Sequence, residues 1–267
     1  MQHAPDRSDP RLVSANDRPV RGDGRYVLYW MRANRRTVDN FALDRAIARC
    51  RELGRPLLVF EALRCDYRWA ADRHHAFVLA GMRDNQQACH DAGITYHGHV
   101  AREPGADRGL LRALADHACV VVTDLHPGFH YPRMLAAAAR ELPVRLEAVD
   151  ACGLVPLSAV PGAAPTAYAF RRALQRLLPE ALARMPAAAP LRGRGLAGAG
   201  DPRGGRVALA CGRRRAAARR PGRAGAAADR SRPRRLSRCA AGRCGRACAP
   251  ARLRAAPGRL RPGAQPP

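Results

Sequence analysis

The chain has 267 residues, 47 Lys+Arg against 22 Asp+Glu, and a formal charge of +25. All of the basic residues are Arg, so chemistry that needs a lysine amine, such as a Schiff base, is excluded. The charge is unevenly placed: residues 192–267 hold 21 Arg and 2 acids, a net of +19, so the total describes the tail and not a basic groove in the body.

In chain order, residues 1–24 are polar and rich in Pro and Gly, and are expected to form a flexible arm. Tyr26-Val-Leu-Tyr-Trp30 is an apolar, aromatic run that predicts a buried strand. After a polar loop, Phe41, Leu43, Ala46, Ile47 and Leu53 recur at helical spacing. Thr37 or Asp39 is the expected N-cap and Gly54 the C-terminal stop. Pro56–Phe60 predicts a second strand and Asp72–Gly93 a long helix. Ile94–Tyr96 predicts a short third strand, and Gly109–Ala118 a helix. Cys119–Asp124 predicts the clearest strand, Tyr131–Glu141 a helix, and Val144–Val149 a fifth strand. A Gly/Pro-rich connector follows, then an amphipathic helix carrying Tyr168, Phe170, Leu174, Leu177 and Leu178. Pro179 is expected to interrupt it.

Strand and helix alternate five times, and the strands are continuous apolar runs. That pattern predicts an α/β fold: a doubly wound, five-stranded parallel sheet, Rossmann-like, covered on both faces. The expected domains are an arm over 1–24, an α/β domain over 25–150, a linker and helix over 151–191, and a disordered tail over 192–267. The tail has no aromatic, Ile, Met, Asn, Thr, His or Glu. Such a composition buries too little apolar area to offset an ordering entropy of roughly 1–2 kcal/mol per residue.

Ligands on sheets of this class bind beyond the carboxyl ends of the strands. Those ends carry Trp30, Met31, Arg32, Asn34, Arg36, Glu61 and Asp124, the candidate pocket residues. Arg32 and Arg36 have two roles open to them: contact with an acidic ligand or phosphate, or bracing the loop through Asp39 or Asp72. Trp30 either stacks on a ligand or belongs to the core. Glu61 and Asp124 either face a pocket or are solvated loop carboxylates. His74 and His75, and the tail's Cys239, Cys244 and Cys248, lack a full set of metal-ligand spacings, and no metal site is expected. The five body cysteines are scattered singly, no apolar run is long enough to span a membrane, and there is no signal peptide. A reduced, cytoplasmic protein is the expected setting.

Trp30-Met-Arg32-Ala-Asn-Arg-Arg36-Thr-Val-Asp39-Asn40-Phe-Ala42-Leu43 resembles the strand-loop-helix signature that opens DNA photolyases and cryptochromes. The registers match without a gap; Met31 replaces a Phe and Asn34 an Asp. The Tyr-Trp-Met opening is most similar to the class II branch. Gly54-Arg-Pro56-Leu-Leu, Asp72-Arg-His-His-Ala-Phe77-Val-Leu79, Val120-Val-Val-Thr-Asp124 with Pro132-Arg133, Asp150-Ala-Cys-Gly-Leu-Val-Pro156 and Tyr168-Ala-Phe170-Arg171 extend the likeness over about 165 residues. In the linker Cys152 stands where the family has Asn.

The resemblance implies an α/β domain that holds, at most, an antenna chromophore, a deazaflavin or a folate. It also implies a C-terminal helical domain that binds FAD and the flipped pyrimidine dimer of damaged DNA, where light-excited reduced flavin splits the cyclobutane ring. That second domain is expected to start after about residue 190, and its aromatic residues are not in the sequence there. Arg, Ala, Gly and Pro are what GC-rich codons yield in a wrong frame, so a frameshift near residues 190–195 is the expected origin of the tail. The chain is then expected to lack repair activity. Two other readings remain open: a non-enzymatic chromophore- or nucleotide-binding α/β module, and a nucleic-acid binder acting through its Arg-rich tail.

Overall fold

A computed structural model of the chain describes residues 9–192, apart from positions 68 and 161. Six strands form one mixed sheet in the order β1-β6-β5-β2-β3-β4. They are β1 (Leu12–Ser14), β2 (Tyr26–Met31), β3 (Leu57–Leu63), β4 (Thr95–Val100), β5 (Ala118–Leu125) and β6 (Leu146–Asp150). The five strands β2 to β6 are parallel, as their unbroken apolar runs predict.

The sixth strand corrects the five-stranded expectation. β1 lies within the predicted flexible arm and pairs antiparallel with β6, Leu12 opposite Val149. Three residues are too few to show a period, and their partner is more than 130 positions away, so no local pattern announces the strand. Residues 21–25 are also held, with Arg21 N donating to Cys119 O at 2.9 Å and Arg25 N to His117 O at 2.8 Å. The stretch 1–8 of the arm and the tail 193–267 lie outside the described residues.

Side chains of successive strand residues point to opposite faces. Val27, Tyr29, Met31, Leu57, Val59, Val120 and Val122 form one core with Leu43, Ala46, Ile47 and Cys50 of α1 (Phe41–Leu53) and Cys89 of α2 (Asp72–Asp91). Leu28, Trp30, Leu58, Phe60, Val121 and Leu146 form the other, with Leu114 of α3 (Leu110–Ala115) and Ala138 of α4 (Tyr131–Glu141). Burying a side chain of this kind stabilises by roughly 1.5–3 kcal/mol, which is why both faces are covered.

Three local expectations change. The N-cap of α1 is Asn40, not Thr37 or Asp39; its Oδ1 accepts from Ala42 N at 3.0 Å and Leu43 N at 3.2 Å. β4 runs to Val100, well beyond Tyr96, because it borrows order from β3 by pairing Leu63 with Val100. The last helix, α5 (Ala167–Ala183), continues through Pro179 instead of stopping there. Gly54, in the left-handed region at φ 60°, ends α1 as its position predicts. Among the described residues, no helix is long and apolar enough to cross a membrane.

Candidate functional site at the carboxyl edge of the sheet

β2 and β5 are neighbours, and the chain leaves them in opposite directions along the sheet: β2 leads through α1 to β3, and β5 through α4 to β6. This is the switch point where ligands of doubly wound sheets bind. Here the crevice is filled by the protein's own side chains. Asp124, at the end of β5, is fully buried. Its Oδ2 accepts three successive backbone N–H groups, Arg32 at 2.8 Å, Ala33 at 2.8 Å and Asn34 at 3.2 Å. Consecutive N–H groups converging in this way make an anion-binding nest. The anion in this nest is a carboxylate from the same chain.

Arg32 is buried as well. Its guanidinium lies 4.5 Å from the Trp30 ring, and Nε donates to Thr123 Oγ1 at 2.9 Å. Nη2 donates to the Asp124 carbonyl and Nη1 to the Tyr131 carbonyl at 3.4 Å. Burial pushes its pKa down to about 10, against the pull of Asp124 in the other direction. Tyr29 donates its hydroxyl to Asp124 Oδ1 at 3.0 Å and accepts from Asn40 Nδ2 at 3.0 Å. Burial first, and then the Asp124 charge, raise the Tyr29 phenol well above its ordinary 10. The same Asn40 amide donates to the carbonyls of Asn34 and Arg36, so one residue caps α1 and closes the loop before it.

Glu61, two residues before the end of β3, is the second fully buried carboxylate. Oε1 accepts from Arg35 Nη1 at 3.0 Å; Oε2 accepts from the Tyr96 hydroxyl at 2.8 Å and Asn85 Nδ2 at 3.0 Å. Burial, then Glu61, push the Tyr96 phenol upward. Arg35 joins the two carboxylate clusters, since its Nε donates to the Arg32 carbonyl at 3.0 Å. Arg36 is exposed and braces the loop through the Asp39 carbonyl at 3.0 Å and Asn34 Oδ1 at 3.2 Å.

Of the candidate pocket residues, Trp30, Met31, Arg32, Glu61 and Asp124 are therefore buried in the protein's own packing. Asn34 and Arg36 lie nearer the surface. Among the polar atoms of the set, Asn34 Nδ2 alone is buried without a partner. By contrast, the polar groups of Arg32, Glu61 and Asp124 are engaged by partners within the protein. Tyr29, Arg35, Asn40, Asn85, Tyr96 and Thr123 complete the network and were not singled out by sequence. Only Asn40 carried a signal, as the Asn following Asp39 in the loop motif.

Open space lies further along the same edge. A cavity of about 360 Å³ is lined by Arg11, Phe41, Val155, Pro156, Leu177 and Glu180, among others. Arg11 sits 3.7 Å over the Phe41 ring, and its guanidinium donates to the carbonyls of Asp150 at 3.0 Å, Gly153 at 2.9 Å and Leu154. No group of three or more metal-ligating side chains occurs among the described residues.

The DNA photolyase family model matches residues 27–190, more than half of the chain. The chain belongs to the DNA photolyase family. Over 101 residues it is 36% identical to the deoxyribodipyrimidine photo-lyase of Methanothermobacter thermautotrophicus, a stretch that is 38% of this chain and 22% of that protein. The chain thus spans about a fifth of the length of that curated relative. A crystal structure of a universal stress protein family member from Burkholderia pseudomallei is similar at 17% identity and a TM-score of 0.29, over 46% of this chain and 95% of that one. The photolyase match covers the β2–α1 loop, both buried carboxylates and the cavity wall formed by α5.

Proposed function

We propose that this chain is the α/β half of a photolyase-type protein and that it performs no pyrimidine-dimer repair itself. The reading is carried by one coincidence of position. The photolyase match ends at residue 190, and from residue 192 the sequence turns to Arg, Ala, Gly and Pro with no aromatic, His or Glu. The family acts on damaged DNA and uses FAD, and a flavin domain needs packed helices and aromatic side chains. Residues 192–267 contain no aromatic side chain, and a shifted reading frame near residues 190–195 accounts for their composition.

The site geometry supports the same reading. Asp124, Glu61, Arg32 and Arg35 are engaged with one another and with neighbouring groups, an arrangement that suits a scaffold at the carboxyl edge of the sheet.

The test is direct. The purified chain is expected to be colourless and to leave a dimer-containing oligonucleotide unchanged under blue light. Copurified flavin together with light-dependent dimer reversal overturns the proposal. Sequencing the DNA across codons 185–200 tests the frame: one uninterrupted frame encoding the present tail in independent isolates overturns the frameshift.

The cavity beside Arg11 and Phe41 favours a second reading, a chromophore- or nucleotide-binding module. Its volume falls within the range of small-molecule sites. A near-ultraviolet or visible band that copurifies and is lost in Phe41→Ala supports it; a colourless chain does not.

A further inference from the structure

α2 packs through only part of its length. Met82, Asn85 and Cys89 are its buried residues, all in the second half of the helix. The face pointing away from the sheet carries two ridges of residues four apart, Arg73-Phe77-Gly81 and Ala76-Ala80-Asp84.

Three features of this face have no partner among the described residues. Phe77 is 81% exposed, the side chain of an aromatic held in water. Gly81 lies at the middle of the helix, where glycine is disfavoured relative to alanine, yet a Cβ there would meet nothing within 4 Å. Arg73 and Asp84 are both exposed, and neither makes an ion pair among the described residues.

We infer that this face binds itself in a second copy of the chain, two α2 helices crossing antiparallel about a twofold axis between residues 78 and 79. That axis lays each ridge antiparallel to its own counterpart in the second copy. Arg73 then approaches Asp84 of the second copy near the centre of the seam, Phe77 meets Gly81 on one flank, and Ala76 meets Ala80 on the other, each pairing occurring twice. The ring of Phe77 enters the hollow that Ala80 and Gly81 leave open, and the small residues let the axes approach in the ridge-into-groove manner. A parallel arrangement would set Arg73 beside Arg73 and Asp84 beside Asp84, so the charges select the antiparallel one. A second copy is the fitting occupant because the face is its own complement in both shape and charge. The patch is short, which places the dimer among weak, reversible interfaces.

Sedimentation velocity of the nuclease-treated, full 267-residue chain over a range of concentrations tests this. The expected result is a reversible monomer–dimer equilibrium that Phe77→Asp abolishes. Arg73→Asp and Asp84→Arg each replace two attractions by two repulsions and weaken the dimer about tenfold. The double variant restores it to within about twofold, a rescue that damage to the fold cannot mimic. Gly81→Leu blocks the dimer while the thermal midpoint of the monomer holds or rises, since leucine is the better helix former. A chain that stays monomeric, an association indifferent to Phe77→Asp, or a charge swap that fails to rescue overturns the inference.

Discussion

Asp124 and Arg32 hold each other twice: the Asp124 carboxylate accepts the Arg32 backbone N–H at 2.8 Å, and the Arg32 guanidinium donates to the Asp124 backbone carbonyl. The two residues end adjacent parallel strands, β5 and β2, at the point where the sheet would otherwise open into a ligand crevice. Their mutual grip is what closes it.

Replacing Asp124 tests that grip. Asp124→Ala leaves three backbone N–H groups and the Tyr29 hydroxyl without their acceptor, around a carboxylate that is fully buried. The expected loss is about 3–5 kcal/mol of folding stability, read by urea denaturation. Asp124→Asn keeps an acceptor oxygen but loses the charge, and about half of that loss is expected. If the site were an open ligand pocket, both changes would be nearly neutral for stability.

Glu61 carries the second cluster. Glu61→Gln removes the charge facing Arg35 and turns one end into a donor against the Asn85 amide or the Tyr96 hydroxyl. A loss of about 2–4 kcal/mol is expected by the same measurement. Combining it with Arg35→Met recovers part of that loss, because the second change removes the unpaired cation.

His97 makes stability depend on pH. Its ring stacks on Phe60 at 5.8 Å between centroids, and Nε2 is buried without a partner. Burial, then the neighbouring His99, lower its pKa below the ordinary 6.5. The unfolded chain therefore takes up a proton before the folded one does. Stability from this group is fully present above the unfolded value and is lost as the pH falls through about 6.5 toward the lower folded value. Urea midpoints measured across that interval should decline, and the decline should flatten in His97→Phe.

Two glycines separate close approach from backbone strain. A Cβ on Gly24 would lie 2.6 Å from the Ala118 carbonyl carbon, where the N-terminal segment runs against β5. Gly24→Ala is expected to cost about 3 kcal/mol or more, since backbone and not a movable side chain must give way. Gly54 has open space around it but sits at φ 60°. Gly54→Ala should cost only about 1 kcal/mol, the penalty of a left-handed alanine. Thermal midpoints of the two variants rank them.

Much of the fold was legible because its signals are local. An unbroken Val120-Val-Val-Thr run reads as a strand covered on both faces wherever it sits, and Gly54 reads as a helix stop from its own conformational freedom. β1 was not legible, because Leu12–Ser14 becomes a strand only by pairing with Val149, Ala148 and Glu147. The candidate site was legible in its location but not in its character. Glu61 and Asp124 lie near the carboxyl ends of their strands, with β3 running on to Leu63 and β5 to Leu125, yet nothing near them in the sequence names Arg35, Tyr96 or Arg32 as partners.

The sequence by itself determined the alternation of strands and helices, the photolyase-type loop from Trp30 to Leu43, and the change of composition at residue 192. Hydrophobic period, capping chemistry and composition are properties of neighbours along the chain, and they survive without a third dimension. Only the tertiary structure decided what the polar groups do. It turned Asp124 inward onto the Arg32–Asn34 amides, buried Glu61 beneath Arg35, and left Phe77 and Gly81 of α2 facing solvent. A carboxylate goes to whichever donors the fold brings within about 3 Å of it. For Asp124, those donors lie about ninety residues away in the chain.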